Sequence, residues 1–209
     1  MGAMESTSLR VYGGITGDDR QAERRAQFVE AGLALLGAED GEPNLTVRGA
    51  CKQAGLAARY FYESFEDRDA LAVAVFDHVV SEIAATTLAA VKAAEPDPRA
   101  KSAAGLRAIV RLIAGDPRRG RLLFSPAIST PVLLNRRAES TRMFAHLLST
   151  QARDFYGIAD SSHLDLATEF LVGGLGQTLA SWLDGTLPIS EDDIVARCTE
   201  IFLHLAELR

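Results

Sequence analysis

From Arg20 onward the apolar residues recur at intervals of three and four, and they nowhere alternate with polar residues over the length of a strand. Such spacing places them on one face of a helix, whereas a half-buried strand needs a period of two. The pattern predicts an all-α fold of about nine helices. Ala22, Ala26, Val29, Leu33 and Leu36 mark the first, ended by Gly41, Pro43 and Asn44. Thr46 offers a hydroxyl cap for a short helix, Val47 to Ala54, and Gly55 stops it because glycine enters the left-handed conformation without steric cost. A third helix is expected from Ala58 to Ser64. Asp67 caps a long fourth one with Leu71, Val75 and Val79 inward, ending before Pro96-Asp97-Pro98.

The second half repeats the theme. Leu106, Ile109, Val110 and Ile113 form one stripe, stopped by Gly115-Asp116-Pro117, and a short helix follows through Leu123 and Phe124. Pro131 opens a long helix that Gly157 closes. Ser162 with Asp165, and Ser190 with Asp193, have capping-box spacing, with aspartate in the usual glutamate place. The last stripe is Ile194, Cys198, Ile201, Phe202, Leu205 and Leu208.

Composition fits an ordinary globular protein, with 47% hydrophobic and 24% charged residues among 209, which excludes collagen-like, disordered and disulfide-rich classes. No uninterrupted apolar run approaches the roughly 20 residues of a membrane span, and no basic segment followed by an apolar core opens the chain. Cys51 and Cys198 fall in expected helices and read as packing residues in a reduced, cytoplasmic setting. Residues 1–19 read as a disordered arm, and Met1-Gly2-Ala3-Met4 suggests a tag remnant ahead of a natural start at Met4.

The net charge of −6 speaks against nucleic acid only on average. Residues 1–78 carry eight Lys/Arg against thirteen Asp/Glu, yet Pro43 to Tyr62 holds Arg48, Lys52 and Arg59 and no carboxylate. A local positive stretch in an acidic unit can meet phosphate while the remainder repels non-specific polyanion.

That stretch belongs to TVRGACKQAGLAARYFYESFEDRDAL, residues 46–71. A short helix, a turn containing glycine and a second short helix are the helix-turn-helix signature, whose second helix enters the major groove. Ala58, Arg59 and Tyr60 lie at the start of the recognition helix, where base edges are reached. Tyr62 offers a hydroxyl to phosphate, Thr46 sits at a helix N-terminus that attracts phosphate, and Arg68 adds a backbone contact. Arg48 and Lys52 share a face without acidic neighbours and read either as solvated charges or as phosphate contacts. Phe61 and Phe65 read as core.

The same residues carry a resemblance. Thr46, Ala54-Gly55, Tyr62, Phe65, Arg68 (where lysine is usual) and Leu71 stand at the positions that mark the tetracycline-repressor (TetR) family, with its spacing and no gap. The preceding FVEAGLALLGAEDGEPNLTV is similar to the family's lead into the motif, so the likeness covers roughly residues 20–80. FLVGGLGQTLASWLDG is similar to a late helix in some members. Four positions depart: Ala57 replaces the Ser or Thr cap of the recognition helix, Gly49 and Ala50 replace better helix formers, and Phe61 replaces leucine. The resemblance implies a DNA-binding unit over residues 20–80 and an effector-binding and dimerisation unit over 81–209. It also implies a homodimer built on the last two helices, double-stranded operator DNA as partner, and an unidentified small-molecule effector.

The C-terminal aromatics suggest an apolar effector pocket made by Phe124, Met143, Phe144, Leu147 and Trp182. The helix before the last is apolar on more than one face, so Leu175, Gly176, Leu179, Cys198, Phe202 and Leu205 are the expected interface. Gly173-Gly174-Leu175-Gly176 follows no strand and is no dinucleotide loop. The four histidines show no metal-ligand spacing, and Arg118, Arg119 and Arg121 read as a solvated face, with an acidic effector as the lesser alternative. No catalytic triad, carboxylate pair or cofactor motif is recognisable, so a non-enzymatic repressor is expected, without cofactor or membrane. The rival is a helical ligand-binding or enzymatic domain whose N-terminal unit has lost DNA binding.

Overall fold

A computed structural model describes residues 17–39, 44–128, 130–156 and 162–207, with side chains omitted at 155–156, 162 and 205–207. Among these residues there are nine helices and no strand. They are α1 (Gly17–Leu36), α2 (Val47–Ala54), α3 (Ala58–Tyr62), α4 (Arg68–Ala93), α5 (Pro98–Ala114), α6 (Pro117–Phe124), α7 (Pro131–Tyr156), α8 (Ser162–Leu183) and α9 (Glu191–Glu207). The all-α expectation is met.

Gly17, Asp18 and Asp19, placed in the expected arm, belong to α1. Two carboxylates in a first turn favour the positive end of the helix dipole. Residues 1–16, the stops Gly41, Pro43 and Gly157, Leu208, and the side chains of Ser162 and Leu205 lie outside the described set.

Local signals explain most helix ends. Thr46 Oγ1 accepts from the Gly49 amide at 3.0 Å, Asp67 from Ala70 and Asp97 from Ala100, both at 2.8 Å. Ser190 Oγ accepts from the Asp193 amide at 3.1 Å while donating to the Asp193 carboxylate at 2.8 Å. At Gly55 φ is +68°; its amide meets Lys52 O and the Leu56 amide meets Cys51 O, a Schellman ending.

α1 packs against α2, α3 and α4, and α5 lies between α4 and α9. α7 rests on α4 and α8, and the short α6 touches α1, α5 and α8. One apolar core runs through both ends of the molecule, from Phe28 and Phe61 through Val75 and Val79 to Val110, Leu179 and Ile194. Residues 80 and 81, the expected boundary, lie inside α4. α4 is also long and apolar enough by composition to cross a membrane, but Leu71, Val75, Phe76, Val79 and Ile83 are core residues here.

Ala50 and Phe61 are both fully buried in the same core, consistent with the larger ring filling space left by the smaller neighbour. Phe28 meets Phe61 and Phe65 edge-on, at centroid distances of 5.4 and 6.3 Å. Gly49 has a structural reason: a Cβ there would stand 3.0 Å from the capping hydroxyl of Thr46.

Candidate nucleic-acid interface and effector cavity

The turn between α2 and α3 projects a polar surface. Thr46, Arg48, Lys52, Ala58, Arg59, Tyr62 and Arg68 are exposed, and Tyr60 is half-buried. Tyr62 is 63% exposed, a large value for an aromatic residue one position beyond the fully buried Phe61. Its ring meets that of Phe61 edge-on, at a centroid distance of 5.5 Å, and is otherwise turned to solvent. Among the described residues neither Arg48 nor Lys52 is paired with a carboxylate, while Arg68 has only the weak neighbour Asp69 at 3.5 Å.

Tyr60 is more constrained than its sequence position suggested. The Arg24 and Arg59 guanidinium carbons each lie 4.5 Å from its ring centroid, and Arg59 donates to its hydroxyl. Arg24 also pairs with Glu63 at 3.3 Å, which ties α1 to the end of α3. Ala57 adopts the extended conformation of a cap and provides no side-chain hydrogen bond. The α1–α3 contacts thus hold a short helix that lacks a side-chain cap.

A cavity of about 380 Å³ opens between α4, α5, α7 and α8. Of the expected pocket residues, Phe124, Phe144 and Leu147 line it. Met143 and Trp182 do not. Met143 is 39% exposed on another face of α7, and the Trp182 indole donates to the Ile189 carbonyl at 3.0 Å, pinning the α8–α9 connection. The walls are mainly apolar, with Val80, Ile83, Leu106 and Ile109 as examples. Sequence reading missed the contribution of α4 and α5, because their inner stripes look the same whether they face a neighbour or a void.

Four of the expected interface residues also face this cavity: Leu175, Gly176, Leu179 and Phe202. Cys198 is buried, and burial pushes its thiol pKa up. The apolar residues that α8 and α9 leave exposed are others: Leu166 at 69%, Phe170 at 67% and Ile201 at 53%. Gly173 and Gly174 stand beside them with open space where a Cβ would be. Periodicity detected two apolar faces on α8 and could not say which one its own domain uses.

Arg118, Arg119 and Arg121 form no free solvated face. Arg118 bonds Asp116 and Glu30, both at 2.7 Å, and Arg121 Nε donates to the Gly37 carbonyl at 2.6 Å. Arg119 reaches Glu82 and the Leu112 carbonyl. The Arg118 guanidinium holds the Asp116 carboxyl below its ordinary pKa. The arginines clamp α6 to α1, α4 and α5. Gly37 permits the approach, since a Cβ there would lie 2.7 Å from the Arg118 backbone.

No family model and no curated protein matches the sequence. Solved structures match the fold. A TetR-family regulator from Syntrophomonas wolfei, described as putative, superposes with a TM-score of 0.73 at 14% identity over 89% of this chain and 96% of that one. The fatty acid degradation regulator FadR from Bacillus halodurans gives 0.72 at 16% identity with the same coverage. FadR from Bacillus subtilis, in complex with stearoyl-CoA, gives 0.69 at 18% identity over 85% and 96%. The chain has the TetR-family regulator fold.

Proposed function

We propose that this chain is a cytoplasmic homodimeric repressor that binds operator DNA through α2 and α3 and is released by a small, mainly apolar effector held in the cavity. One arrangement carries the reading: an exposed cationic tip, whose Arg48 and Lys52 pair with no carboxylate among the described residues, and an apolar cavity are joined by a clamped helix, α6, and by the continuous α4. Arg59 and Tyr60 would read bases, while Thr46, Arg48, Lys52, Tyr62 and Arg68 meet phosphates. A ligand shifts such an equilibrium only by its differential affinity for the two states, so the cavity must differ between the DNA-bound and released forms.

The second subunit covers Leu166, Phe170 and Ile201, with Gly173 and Gly174 allowing helices to approach closely. An isologous contact of that kind repeats the same patch on both chains and sets two recognition helices for two half-sites. The fold neighbours support the regulatory class, and stearoyl-CoA bound to one of them favours an effector with an acyl chain. The test is selection of bound sequences from random DNA by the purified protein, followed by anisotropy titration. A recurrent pseudo-palindrome is expected; a pool no different from the input rejects the DNA-binding reading.

A further inference from the structure

The cavity lining contains two cations, Lys101 and Arg137, and no carboxylate among the described residues. They stand at opposite ends. Arg136, next to Arg137, bonds Asp77 at 3.2 Å, so this end of α7 lies beside the Phe76 end of the α4 wall. Lys101 Nζ donates to the Val91 carbonyl at 3.1 Å, which marks the other end. The α4 wall runs from Phe76 to Val91 and the α7 wall from Arg137 to Ala152. At a rise of about 1.5 Å per residue each is about 22 Å long. A void of about 380 Å³ between walls of that length has room for a linear chain lying along them.

Arg137 has an uneven set of partners. Its Nη2 donates to the carbonyls of Leu122 and Ser125, at 2.8 and 3.0 Å, and its Nε is buried without a partner. No carboxylate is within ion-pair reach among the described residues, and burial lowers the guanidinium pKa. A half-buried cation without an anion carries a desolvation cost that two carbonyls offset only in part, and a guanidinium matches a carboxylate in shape and charge.

Resting on the effector cavity assigned above, we propose that the effector is a linear carboxylic acid of the fatty-acid class, its carboxylate on Arg137 and its chain along α4 and α7 toward Lys101. The same guanidinium ties α7 to carbonyls at the end of α6, the helix whose arginines hold α1. A carboxylate drawn to Arg137 competes with those carbonyls, so the head group acts on the link to the DNA-binding end.

Calorimetric titration of the full chain with laurate, methyl laurate, lauryl alcohol and lauroyl-CoA tests the assignment. Laurate is expected to bind about tenfold or more tightly than the ester and the alcohol, the effect of one charge-assisted contact. Arg137→Gln removes that preference and leaves ester binding in place, Arg137→Lys keeps part of it, and Lys101→Met keeps it. Helical circular dichroism checks that each variant is folded. Equal binding of acid and ester, a preference that survives Arg137→Gln or vanishes in Lys101→Met, tightest binding of lauroyl-CoA insensitive to Arg137→Gln, or no binding overturns the proposal. Operator release is followed in the same samples. Acid-selective binding without release supports the head-group assignment and rejects the regulatory reading; release by acid and ester alike does the reverse.

Discussion

At the residue scale, neighbouring positions have opposite fates. Phe61 is fully buried, and Tyr62 beside it is mostly exposed. Arg59 lies over Tyr60 and donates to its hydroxyl, so it must leave or share that contact to reach a base. Arg59→Ala is expected to cost about 1–3 kcal/mol on the selected operator and to relax the base preference at one position. Tyr62→Phe is expected to weaken all sequences alike, since phosphate carries no base identity. Anisotropy titrations at matched salt on operator and scrambled DNA separate the two effects. Unchanged operator affinity in both variants would remove the assignment of α3 as the recognition helix.

Among the elements, α6 has the most consequence for its size. Its eight residues touch α1, α5 and α8, and it joins the cavity wall through Leu123 and Phe124. Asp116 caps it by accepting from the Arg118 amide at 3.1 Å and also pairs with the Arg118 side chain. Its carboxyl is held below its ordinary pKa in the folded chain, with the hydrogen bond from Arg118 the leading cause. A group depressed in the folded state stabilises above its unfolded pKa, and that stability is lost as pH falls through the folded value. Asp116→Asn keeps a capping oxygen and loses the charge. Its stability deficit in urea should therefore be full near pH 7 and shrink below about pH 4, the ordinary aspartate range. A deficit independent of pH would mean that the cap alone matters. Gly37→Ala tests the other side of the clamp. The added methyl meets Arg118 backbone, so a loss of about 1–3 kcal/mol is expected in the same urea experiment.

For the whole molecule, α8 and α9 present Leu166, Phe170 and Ile201 to solvent while their other face closes the cavity. Scattered exposed apolar side chains are ordinary, but Leu166 and Phe170 share one face of α8 with Gly174, whose Cβ position is open. Phe170→Glu is expected to leave helical content and thermal unfolding of the protomer near wild type and to yield monomers in sedimentation. Specific DNA binding should fall with it, because half-sites are held jointly. Leu179→Arg is the contrast: it places a charge at a site only 2% exposed and should unfold the chain. A Phe170→Glu dimer as tight as wild type would move the interface elsewhere.

What residue order determined by itself was local. Thr46, Asp67 and Gly55 encode helix ends through hydrogen bonds and backbone freedom spanning a few residues, so their roles are legible without the fold, while Asp97 and Asp116, which read only as parts of a linker and a stop, turn out to cap α5 and α6. The spacing around Ala54-Gly55 marked the helix-turn-helix for the same reason. Tertiary structure decided which apolar face meets which partner. Leu175, Leu179 and Phe202 carry the same periodic signal as Phe170 and Ile201, yet the first three close the cavity and the last two face outward. A stripe records that burial is needed and not against what. The arginines show the same limit: Arg118 and Arg121 became clamps on α1 because chain reversal brought Glu30 and the Gly37 carbonyl within reach. Arg137 became the charged end of the cavity because the α6 carbonyls fold over it.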